Sequence, residues 1–401
     1  MARRRTGTNA RGRKVRHGTT SGPPTTPRGA SGNGSEAPGR VATSTAQAED
    51  PQALVVTYRM DLEADGEPYT ATIRVRGQRM GAGIRPTSRD TFTHDEVVKD
   101  VVPGTGPVAV TSWIYGIDPG EWRVAAELIG ATDRVNGRPS GGHRRAADMS
   151  LSRADWSWRH WALKEAPDAP VKTRWALIAP LARTPGVVPG SFTVLAILGI
   201  SASFVVQATF LAALGISVGA GLLVSLLAIL GGVVGAKLWH MILQAKPWRE
   251  SIRLGWSVDG FLVVAPIVAV GALLALDIPI GTYLDSAAPG MYVAVAIGRL
   301  GCFFTGCCAG RPTLSRFGIR SSDRRVVARR IPTQPLESLA GLIIAIVSWL
   351  AVVGNAIGIG GAVFVAALVA YIIVRQGLLR LRQETRAFSW RRSDAARAVK
   401  P

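Results

Sequence analysis

The chain has 401 residues, with 47 Lys plus Arg against 27 Asp plus Glu, and a formal net charge of +20 at pH 7. Its mean hydropathy is nevertheless +0.21, so the apolar residues must be concentrated. No charged side chain occurs in the 53 residues between Arg183 and Lys237, nor in the 37 residues from Ser338 to Val374. A helix of the first length would measure about 80 Å, whereas a hydrocarbon core is about 30 Å thick. The sequence excludes a soluble single-domain protein and predicts an integral membrane protein.

Residues 1–52 are rich in Arg, Gly, Ser, Thr and Pro and contain few aliphatic residues. Such a composition cannot bury enough surface to offset backbone ordering, and it predicts a disordered basic tail. No apolar stretch follows its first basic residues, so we do not interpret it as a secretory signal. A role in contacting phosphate or lipid is the alternative. Since much of the basic excess in the chain flanks apolar spans, we expect an anionic lipid surface and no nucleic acid as partner.

Residues 53–131 alternate apolar and polar side chains and are rich in Val, Thr, Tyr, Ile and Trp. Turn sequences separate these runs: Asp65-Gly66, Pro103-Gly104 and Asp118-Pro119-Gly120. This pattern predicts a small antiparallel β-sandwich. The stretch from Tyr115 to Ala125 resembles the late strands of fibronectin-III-like modules, although a turn between two strands would look similar.

Residues 132–190 carry tryptophans beside basic residues: Trp156, Trp158, Trp161 and Trp175. Aromatic and basic residues just before a membrane span are typical of a segment that lies along the lipid headgroups. We therefore expect an interfacial connector here. A linker with a few packed tryptophans is the alternative.

Residues 191–382 are the predicted membrane domain, and a basic tail follows at 383–401. Six spans are expected, at about 192–213, 217–243, 258–276, 287–305, 336–353 and 357–379. The predicted fold is thus an α-helical polytopic membrane protein with an N-terminal small β-sandwich-like domain and a disordered basic tail. The polar connection at 306–335 carries seven arginines against one aspartate.

Few charged residues lie within the expected spans, among them Lys237, Asp259, Arg299 and Arg375, with His240 close by. A charge at the bilayer centre costs roughly 2.5–3.5 kcal/mol on insertion scales, so each is a candidate functional residue. Arg299 lies among glycines, at 298, 301, 306 and 310, which let backbone and ligand approach closely. Its guanidinium offers a planar fork for phosphate oxygens. These residues alone predict a pocket for a phospholipid headgroup.

The same region resembles the prolipoprotein diacylglyceryl transferases, bacterial membrane enzymes that begin lipoprotein maturation. The stretch from Gly298 to Thr313, GRLGCFFTGCCAGRPT, looks like their signature. Four further motifs match in the family's order: Gly235-Ala236-Lys237-Leu-Trp-His240, Gly255-Trp-Ser257-Val-Asp259-Gly260, Pro332-Thr333-Gln334-Pro-Leu-Glu337 and Tyr371-Ile-Ile-Val-Arg375. The resemblance covers about residues 190–382.

The resemblance implies transfer of a diacylglyceryl group from phosphatidylglycerol to the lipobox cysteine thiol of a preprolipoprotein, at the plasma (inner) membrane and without a cofactor. Arg299 and Arg375 would hold the phosphate or stabilise the leaving group. The implied catalytic set is Arg299, Arg375, Asp259 and His240. The implied substrate-binding set is Lys237, Gly298, Gly301, Cys302, Gly306, Gly310, Gln334, Glu337 and Tyr371.

The chain departs from the family pattern at several positions. Asp259 stands where the family has its His, His240 where it has a Tyr, and Lys237 where it has an Arg. Cys302 and Cys307 replace a signature Asn and Glu. A buried Asp can act as a base because desolvation raises its pKa, and His240 is a second candidate. The alternative is a relative with altered substrate or without catalysis that binds an anionic phospholipid.

Structural interpretations remain for each candidate. Arg299 can be satisfied by helix-end carbonyls, and Arg375 can snorkel to the membrane border. His240 can lie at headgroup level without a task, and Asp259 can be a helix N-cap. The three cysteines, spaced C-x4-C-C, lack a second ligand cluster, so we expect packing and no metal site. An anion transporter is a further alternative, but the sequence shows no internal repeat.

Membrane orientation is predicted differently by two arguments. Six spans put both ends of the membrane domain on one side. The positive-inside rule places that side, with the 306–335 connection and the basic C-terminus, in the cytoplasm. The resemblance implies the reverse, since the family's polar head faces outside, where lipobox cysteines are modified. The chain lacks an obvious counterpart of the family's last span.

Overall fold

The computed structural model of the chain describes residues 52–83, 87, 89–133, 151–179, 184–244, 257–354 and 358–383. These residues belong to one compact unit, 50–401. The expected tails, 1–52 except Gln52 and 383–401 except Gln383, lie outside the described residues.

The N-terminal region is rich in strands, because its alternating side chains present one apolar face each. The strands before the first helix are β1 (Gln52–Met60), β2 (Tyr69–Arg79), β3 (Thr91–Val101), β4 (Val108–Ile117), β5 (Glu121–Asp133), β6 (Leu151–Ser157), β7 (Ala162–Glu165), β8 (Val171–Lys172) and β9 (Arg174–Trp175). In β1 the buried residues Leu54, Val56, Tyr58 and Met60 follow the two-residue period of a strand.

Two antiparallel sheets pack face to face. One has the order β10-β11-β4-β1-β6-β7, with β9 also on β1, and the other has the order β3-β2-β5-β8; β10 (Ile319–Ser322) and β11 (Val326–Arg330) come from the membrane domain. The core between them includes Leu54 and Met60 from the first sheet and Tyr69, Ile73 and Trp122 from the second. The predicted β-sandwich is confirmed.

The strands continue into the segment that composition suggested as an interfacial connector. β6 pairs with β1, with Tyr58 opposite Arg153, and β8 pairs with β5. These strands pair with backbone groups of β1 and β5 that would otherwise lack partners at those positions. Trp156, Trp158 and Trp161 pack in edge-to-face contacts, and Trp161 stacks on Phe303 with ring centroids 5.7 Å apart.

Six helices in the described part of the chain are long and apolar enough to span a membrane, as predicted. They are α1 (Ser191–Ala213), α2 (Val218–Gln244), α3 (Val258–Ala275), α4 (Ile280–Thr305), α5 (Thr333–Val353) and α6 (Ala362–Leu379). The fourth begins seven residues before the expected position. Its first turns include Asp285, whose buried carboxylate accepts hydrogen bonds from the backbone N–H groups of Gly361 and Phe364 at the start of α6. This helix start provides partners for a charge that would otherwise be costly in a span.

The helices pack as a bundle and a hairpin. α4 lies between α1, α5 and α6, whereas α2 packs mainly on α3. The α2–α3 contact needs glycine, since a Cβ on Gly260 would collide with the carbonyl oxygen of Gly235. The hairpin meets the bundle around the buried side chains of Leu211, Val224 and Leu273.

The sandwich and the polar connection share one side of the bundle, which we call the head side. Consecutive spans alternate in direction, so the start of α1 and the connection between α4 and α5 lie at the same side. In the structure that connection forms the β10–β11 hairpin, and β11 pairs with β4, with Val327 opposite Ala109. The stretch expected to be a polar loop therefore completes a sheet of the N-terminal domain.

Candidate active site

Three arginines converge on one carboxylate at the head side of the bundle. Glu337, at the start of α5, is 0% exposed. Its Oε1 lies 3.0 Å from Nη2 of Arg299 on α4 and 2.8 Å from Nη1 of Arg375 on α6. Its Oε2 accepts a hydrogen bond from Arg382, just after α6. Three cations against one anion leave this arginine cluster, as we call it, with a formal charge of +2.

Tyr371 connects the members of the arginine cluster. Its hydroxyl donates to Glu337 Oε1 at 2.8 Å and accepts from both Arg299 Nη2 and Arg375 Nη1 at 3.4 Å. Tyr371 and Arg375 are four residues apart on α6, so they lie on the same helix face. Tyr292 of α4 packs against the Tyr371 ring, with centroids 5.6 Å apart. The guanidinium positions are thus held by hydrogen bonds and by packing.

The excess charge of the arginine cluster gives it a chemical preference. Arg299 and Arg375 are mostly buried, with side chains 17% and 23% exposed. An uncompensated charge away from water costs several kcal/mol, and Glu337 neutralises one of three. An anionic ligand would neutralise part or all of the remaining charge of +2. A guanidinium has five N–H donors in a planar arrangement, which suits the oxygens of a phosphate.

The signature glycines have different surroundings. A Cβ on Gly298, beside Arg299, would meet open space, whereas one on Gly301 would lie 3.1 Å from the Cα of Phe192. Gly306 ends α4 in the left-handed region, with φ 71°, and a Cβ there would lie 2.9 Å from the backbone nitrogen of Arg324. A Cβ on Gly310 would collide with the carbonyl oxygen of Ile331. Gly298 therefore has open space at its Cβ position, and the other three glycines permit close packing.

Residues 306–310, which we call the signature loop, are held by the first turn of α5. Gln334 Nε2 donates to the carbonyl oxygen of Cys307 at 2.8 Å, and Thr333 Oγ1 donates to that of Cys308 at 3.2 Å. Cys308 has φ 57°, an uncommon conformation for a residue with a side chain. Gln334 thus acts on the loop, and it makes none of the hydrogen bonds of the arginine cluster.

The cysteines lie next to the arginine cluster. Arg299 Nη1 donates to Cys302 Sγ at 3.9 Å. Cys307 Sγ donates to the carbonyl oxygen of Cys302 at 3.6 Å, and the thiols of Cys302, Cys307 and Cys308 are free. Within the described residues there is no group of three or more His, Cys, Asp and Glu side chains placed to hold a metal ion.

The two candidate bases lie on the α2–α3 hairpin, apart from the arginine cluster. Asp259 is exposed in the first turn of α3, whose N-cap is Ser257 rather than Asp259 itself. His240 is half-buried near the end of α2, and its Nε2 has no hydrogen-bond partner among the described residues. Lys237 lies one turn before it. The structure shows no hydrogen bond or ion pair from Asp259 or His240 to the described arginines.

Sequence reasoning missed Arg382, which belongs to none of the matched motifs. The chain after α6 forms an antiparallel bridge between Gly310 and Arg382, and Gln383 N donates to the carbonyl oxygen of Ala309 at 3.1 Å. This bridge directs Arg382 towards Glu337. The spacing in the sequence was a usable signal. Arg375 and Arg382 are seven residues apart, and residues two helical turns apart would share a face if the helix continued.

Arg330 is a second missed residue. It is 1% exposed at the end of β11, where Nη1 donates to Gly310 O at 3.2 Å and Nη2 to Asp323 Oδ2 at 2.8 Å. Burial lowers the pKa of Arg330, and the nearby Asp323 carboxylate opposes that shift. Arg330 also donates to the side chain of Gln383, so it joins the hairpin, the signature loop and the chain after α6.

The model of one protein family, prolipoprotein diacylglyceryl transferase, matches residues 187–395. This is just over half of the chain. The chain belongs to the prolipoprotein diacylglyceryl transferase family. No curated protein matches it significantly.

Membership of the prolipoprotein diacylglyceryl transferase family makes this chain a transferase of lipoprotein biosynthesis and a multi-pass membrane protein. The family acts on lipids and prolipoproteins at the membrane. The matched region contains the whole arginine cluster and the β10–β11 hairpin, and it begins after the last strand of the N-terminal domain. The sandwich is therefore an addition to the matched region that shares a sheet with it through β4 and β11.

Proposed function

We propose that this transferase moves a diacylglyceryl group from phosphatidylglycerol to the lipobox cysteine thiol of preprolipoproteins, at the bacterial plasma membrane. The observation that carries the proposal is the convergence of Arg299, Arg375 and Arg382 on the buried carboxylate of Glu337. This arrangement keeps an excess of positive charge where an anionic headgroup would lie.

The proposed reaction explains why the charge is useful. The thiolate of the acceptor attacks the carbon of the diacylated glycerol that carries the phosphate oxygen. The bond between that carbon and the oxygen breaks, and the headgroup leaves as glycerol phosphate with an additional negative charge. Arg299 and Arg375 would stabilise that developing charge through charge-assisted hydrogen bonds in a site with little water. Glu337 and Tyr371 would keep both guanidinium groups oriented before the reaction begins.

The remaining candidates receive roles that agree with their positions. Gly298 would admit the headgroup, since it precedes Arg299 in α4 and has open space at its Cβ position. Gly301, Gly306 and Gly310, with Gln334, would shape the site by holding α1, α4 and the signature loop in place. Cys302 would line the pocket next to Arg299.

Deprotonation of the acceptor thiol is the step that the arginine cluster does not provide. We propose Asp259 or His240 as the base and Lys237 as a further contact for the substrate, on the opposite wall formed by the α2–α3 hairpin. An acceptor peptide between hairpin and bundle would bridge the two sets of residues.

The position of Asp259 also favours a second candidate function. An exposed carboxylate without a contact to the arginine cluster is what a non-catalytic relative, or one with an altered substrate, would retain. Such a protein would use the same arginines to bind an anionic phospholipid.

One experiment separates the two functions. Purified protein in nanodiscs is given phosphatidylglycerol and a synthetic lipobox peptide, and the thioether product is measured by mass spectrometry. We expect product from the wild type and at least 100-fold less from Arg299→Ala, since losing one charge-stabilising donor costs about 10²–10³ in rate. The control Arg380→Ala changes an exposed arginine at the end of α6 and should give a normal yield. No product, with phosphatidylglycerol retained by the wild type and lost from Arg299→Ala, would favour the binding function.

A further inference from the structure

β3 forms one edge of its sheet and leaves backbone groups available. In the described residues β3 pairs with β2 on one side and with no strand on the other. Such an edge carries a row of N–H and C=O groups that can accept another extended chain. From Thr91 to Lys99 this edge measures about 30 Å, at roughly 3.3 Å per residue.

The first part of this edge borders a cavity of about 790 Å³ between β3 and the second half of β4. Phe92, Trp113 and Tyr115 supply aromatic surface, and Thr91 and Thr93 supply hydroxyl groups. The side chain of Tyr115 is 54% exposed, although it is large and mostly apolar. The indole N–H of Trp113 is buried and has no acceptor among the described residues.

β4 also has an unpaired stretch beside this cavity. β11 pairs with β4 at Ala109 and Val110, and Thr111 N donates to the carbonyl oxygen of Arg325 at 2.8 Å. Beyond Thr111, the described part of the chain places no strand on that side of β4. Two strand edges therefore face the same cavity, one from each sheet of the sandwich.

The second part of the β3 edge leads to the signature loop. A cavity of about 370 Å³ is bordered by β3 from Glu96 to Lys99, by the hairpin from Asp323 to Val326, by Gly306, Cys308 and Ala309, and by Gln383. Glu96 forms an ion pair with Arg325 and lies 3.3 Å from His94, which borders the first cavity. The two cavities thus follow one strand and meet at these charged side chains.

We propose that these two cavities form one binding groove for an extended segment of the protein substrate, which adds to the free edge of β3. We call it the β3 groove. A polypeptide is the occupant because alternating donors and acceptors of a strand edge match a peptide backbone and not an acyl chain. The aromatic and hydroxyl lining suits apolar or hydroxyl side chains. The identity of the substrate as a lipobox protein rests on the proposed function.

The course of the β3 groove connects peptide binding to the reaction. Its second cavity opens at Cys308 and Ala309 of the signature loop, and the same loop is tied to Arg382 by the bridge at Gly310. A peptide that follows β3 would therefore arrive next to the arginine cluster. The N-terminal sandwich, which lies outside the matched family region, would position the acceptor while the membrane domain holds the lipid.

Photo-crosslinking tests the β3 groove directly. A photoreactive amino acid replaces Val97 or Tyr115, which border the groove. The control position is Ile129, an exposed apolar residue on β5, in the same sheet as Val97. The probe is a biotinylated lipobox peptide with Ser in place of its Cys, so that it binds without reacting. We expect adducts at positions 97 and 115 that unlabelled peptide removes, and none at 129.

Other adducts would overturn the proposal. Equal labelling at 129, or no peptide adduct at 97 and 115, would show that the peptide binds elsewhere. Adducts with vesicle lipid at 97 and 115 would identify a lipid groove, and adducts with a second copy of the chain would identify a contact between protomers. Crosslinking needs no turnover, so peptide adducts without thioether product would contradict the proposed transfer and leave the groove standing. Thioether product without peptide adducts at positions 97 and 115 would support the proposed transfer and contradict the groove.

Kinetics provide a second measurement in the intact protein. Tyr115→Ala should raise the KM for peptide about tenfold, or about 1.4 kcal/mol of binding, and leave kcat within about twofold, since a bound peptide would cover this exposed aromatic side chain. Ile129→Ala should change neither. A fall in kcat with unchanged KM in Tyr115→Ala would contradict a docking role.

Discussion

Arg382 binds the Oε2 atom of Glu337, whereas Arg299 and Arg375 bind the Oε1 atom. Both oxygens of one carboxylate are therefore occupied, and three separate parts of the chain are joined at one point inside the membrane domain. Because the carboxylate can neutralise one cation, this arrangement combines rigidity with a remaining positive charge. That combination is what binding an anionic headgroup requires.

Replacing the central carboxylate should damage stability and activity together. In Glu337→Gln three buried arginines lose their counter-ion, and removing one partner of a buried ion pair costs about 3–5 kcal/mol. We expect a clear fall in the thermal midpoint and loss of thioether product. Glu127→Gln is the control, since its pair with Arg76 is exposed and should contribute less than about 1 kcal/mol. Equal effects of the two substitutions would contradict a central role for Glu337.

Gly298→Leu should separate lipid binding from folding. A Cβ at Gly298 meets open space, so the substitution should leave the thermal midpoint near that of the wild type. The added side chain would occupy the room beside Arg299, and we expect a rise of at least tenfold in the KM for phosphatidylglycerol. Gly377→Leu, where a Cβ also meets open space on α6, should change neither quantity. An unchanged KM in Gly298→Leu would place the headgroup elsewhere.

Arg330→Met should loosen the signature loop, although Arg330 itself has no proposed contact with substrate. It removes hydrogen bonds to Gly310 and Asp323, and leaves Asp323 without its buried cation, at a cost of roughly 3 kcal/mol or more. Hydrogen exchange at residues 306–312 should increase, and Arg330→Lys should restore part of the protection. Arg316→Met, an exposed change in the same connection, is the control. Unchanged exchange in Arg330→Met would show that the loop is held by other contacts.

Asp90 should make the sandwich sensitive to acid. Hydrogen bonds from Thr87, then the Arg79 guanidinium, lower the pKa of Asp90 to about 2. A lowered carboxyl pKa adds stability above its unfolded value, near 3.9, and that stability is lost as the pH falls towards 2. Asp90→Asn should therefore lower the thermal midpoint at pH 7, with the difference disappearing between about pH 4 and pH 2. Asp65→Asn, an exposed control, should show no such dependence. A difference that persists at pH 2 would mean that charge is not its cause.

The orientation of the head side can be measured with cysteine labelling. Lipobox cysteines are modified outside the cytoplasm, so the proposed function requires an external head side. A membrane-impermeant maleimide on intact cells should label Phe317→Cys, whose site is 71% exposed in the hairpin connection. Ile359→Cys lies between α5 and α6 on the other side and should react only after lysis. The protein with its three natural cysteines gives the background labelling. The reverse result would support the positive-inside argument and contradict lipoprotein maturation.

The sequence predicted the elements that depend on local composition. Uncharged stretches longer than a bilayer is thick had to become membrane spans, and alternating residues had to become strands. Among the residues that meet at Glu337, Arg299 and Arg375 could be recognised because charges within an apolar span are costly and therefore conspicuous. Glu337 itself and Tyr371 were expected at the site only through the resemblance to the transferase family.

Tertiary structure decided which distant segments meet. The pairing of β11 with β4 joins residues more than 200 positions apart, and β-pairing between such segments leaves no local pattern in either. Arg382 enters the arginine cluster through a backbone bridge to Gly310, while Asp259 and His240 lie apart from that cluster on a separate hairpin. Hydrophobicity determines where a segment lies relative to the membrane, but only packing and hydrogen bonding determine its neighbours.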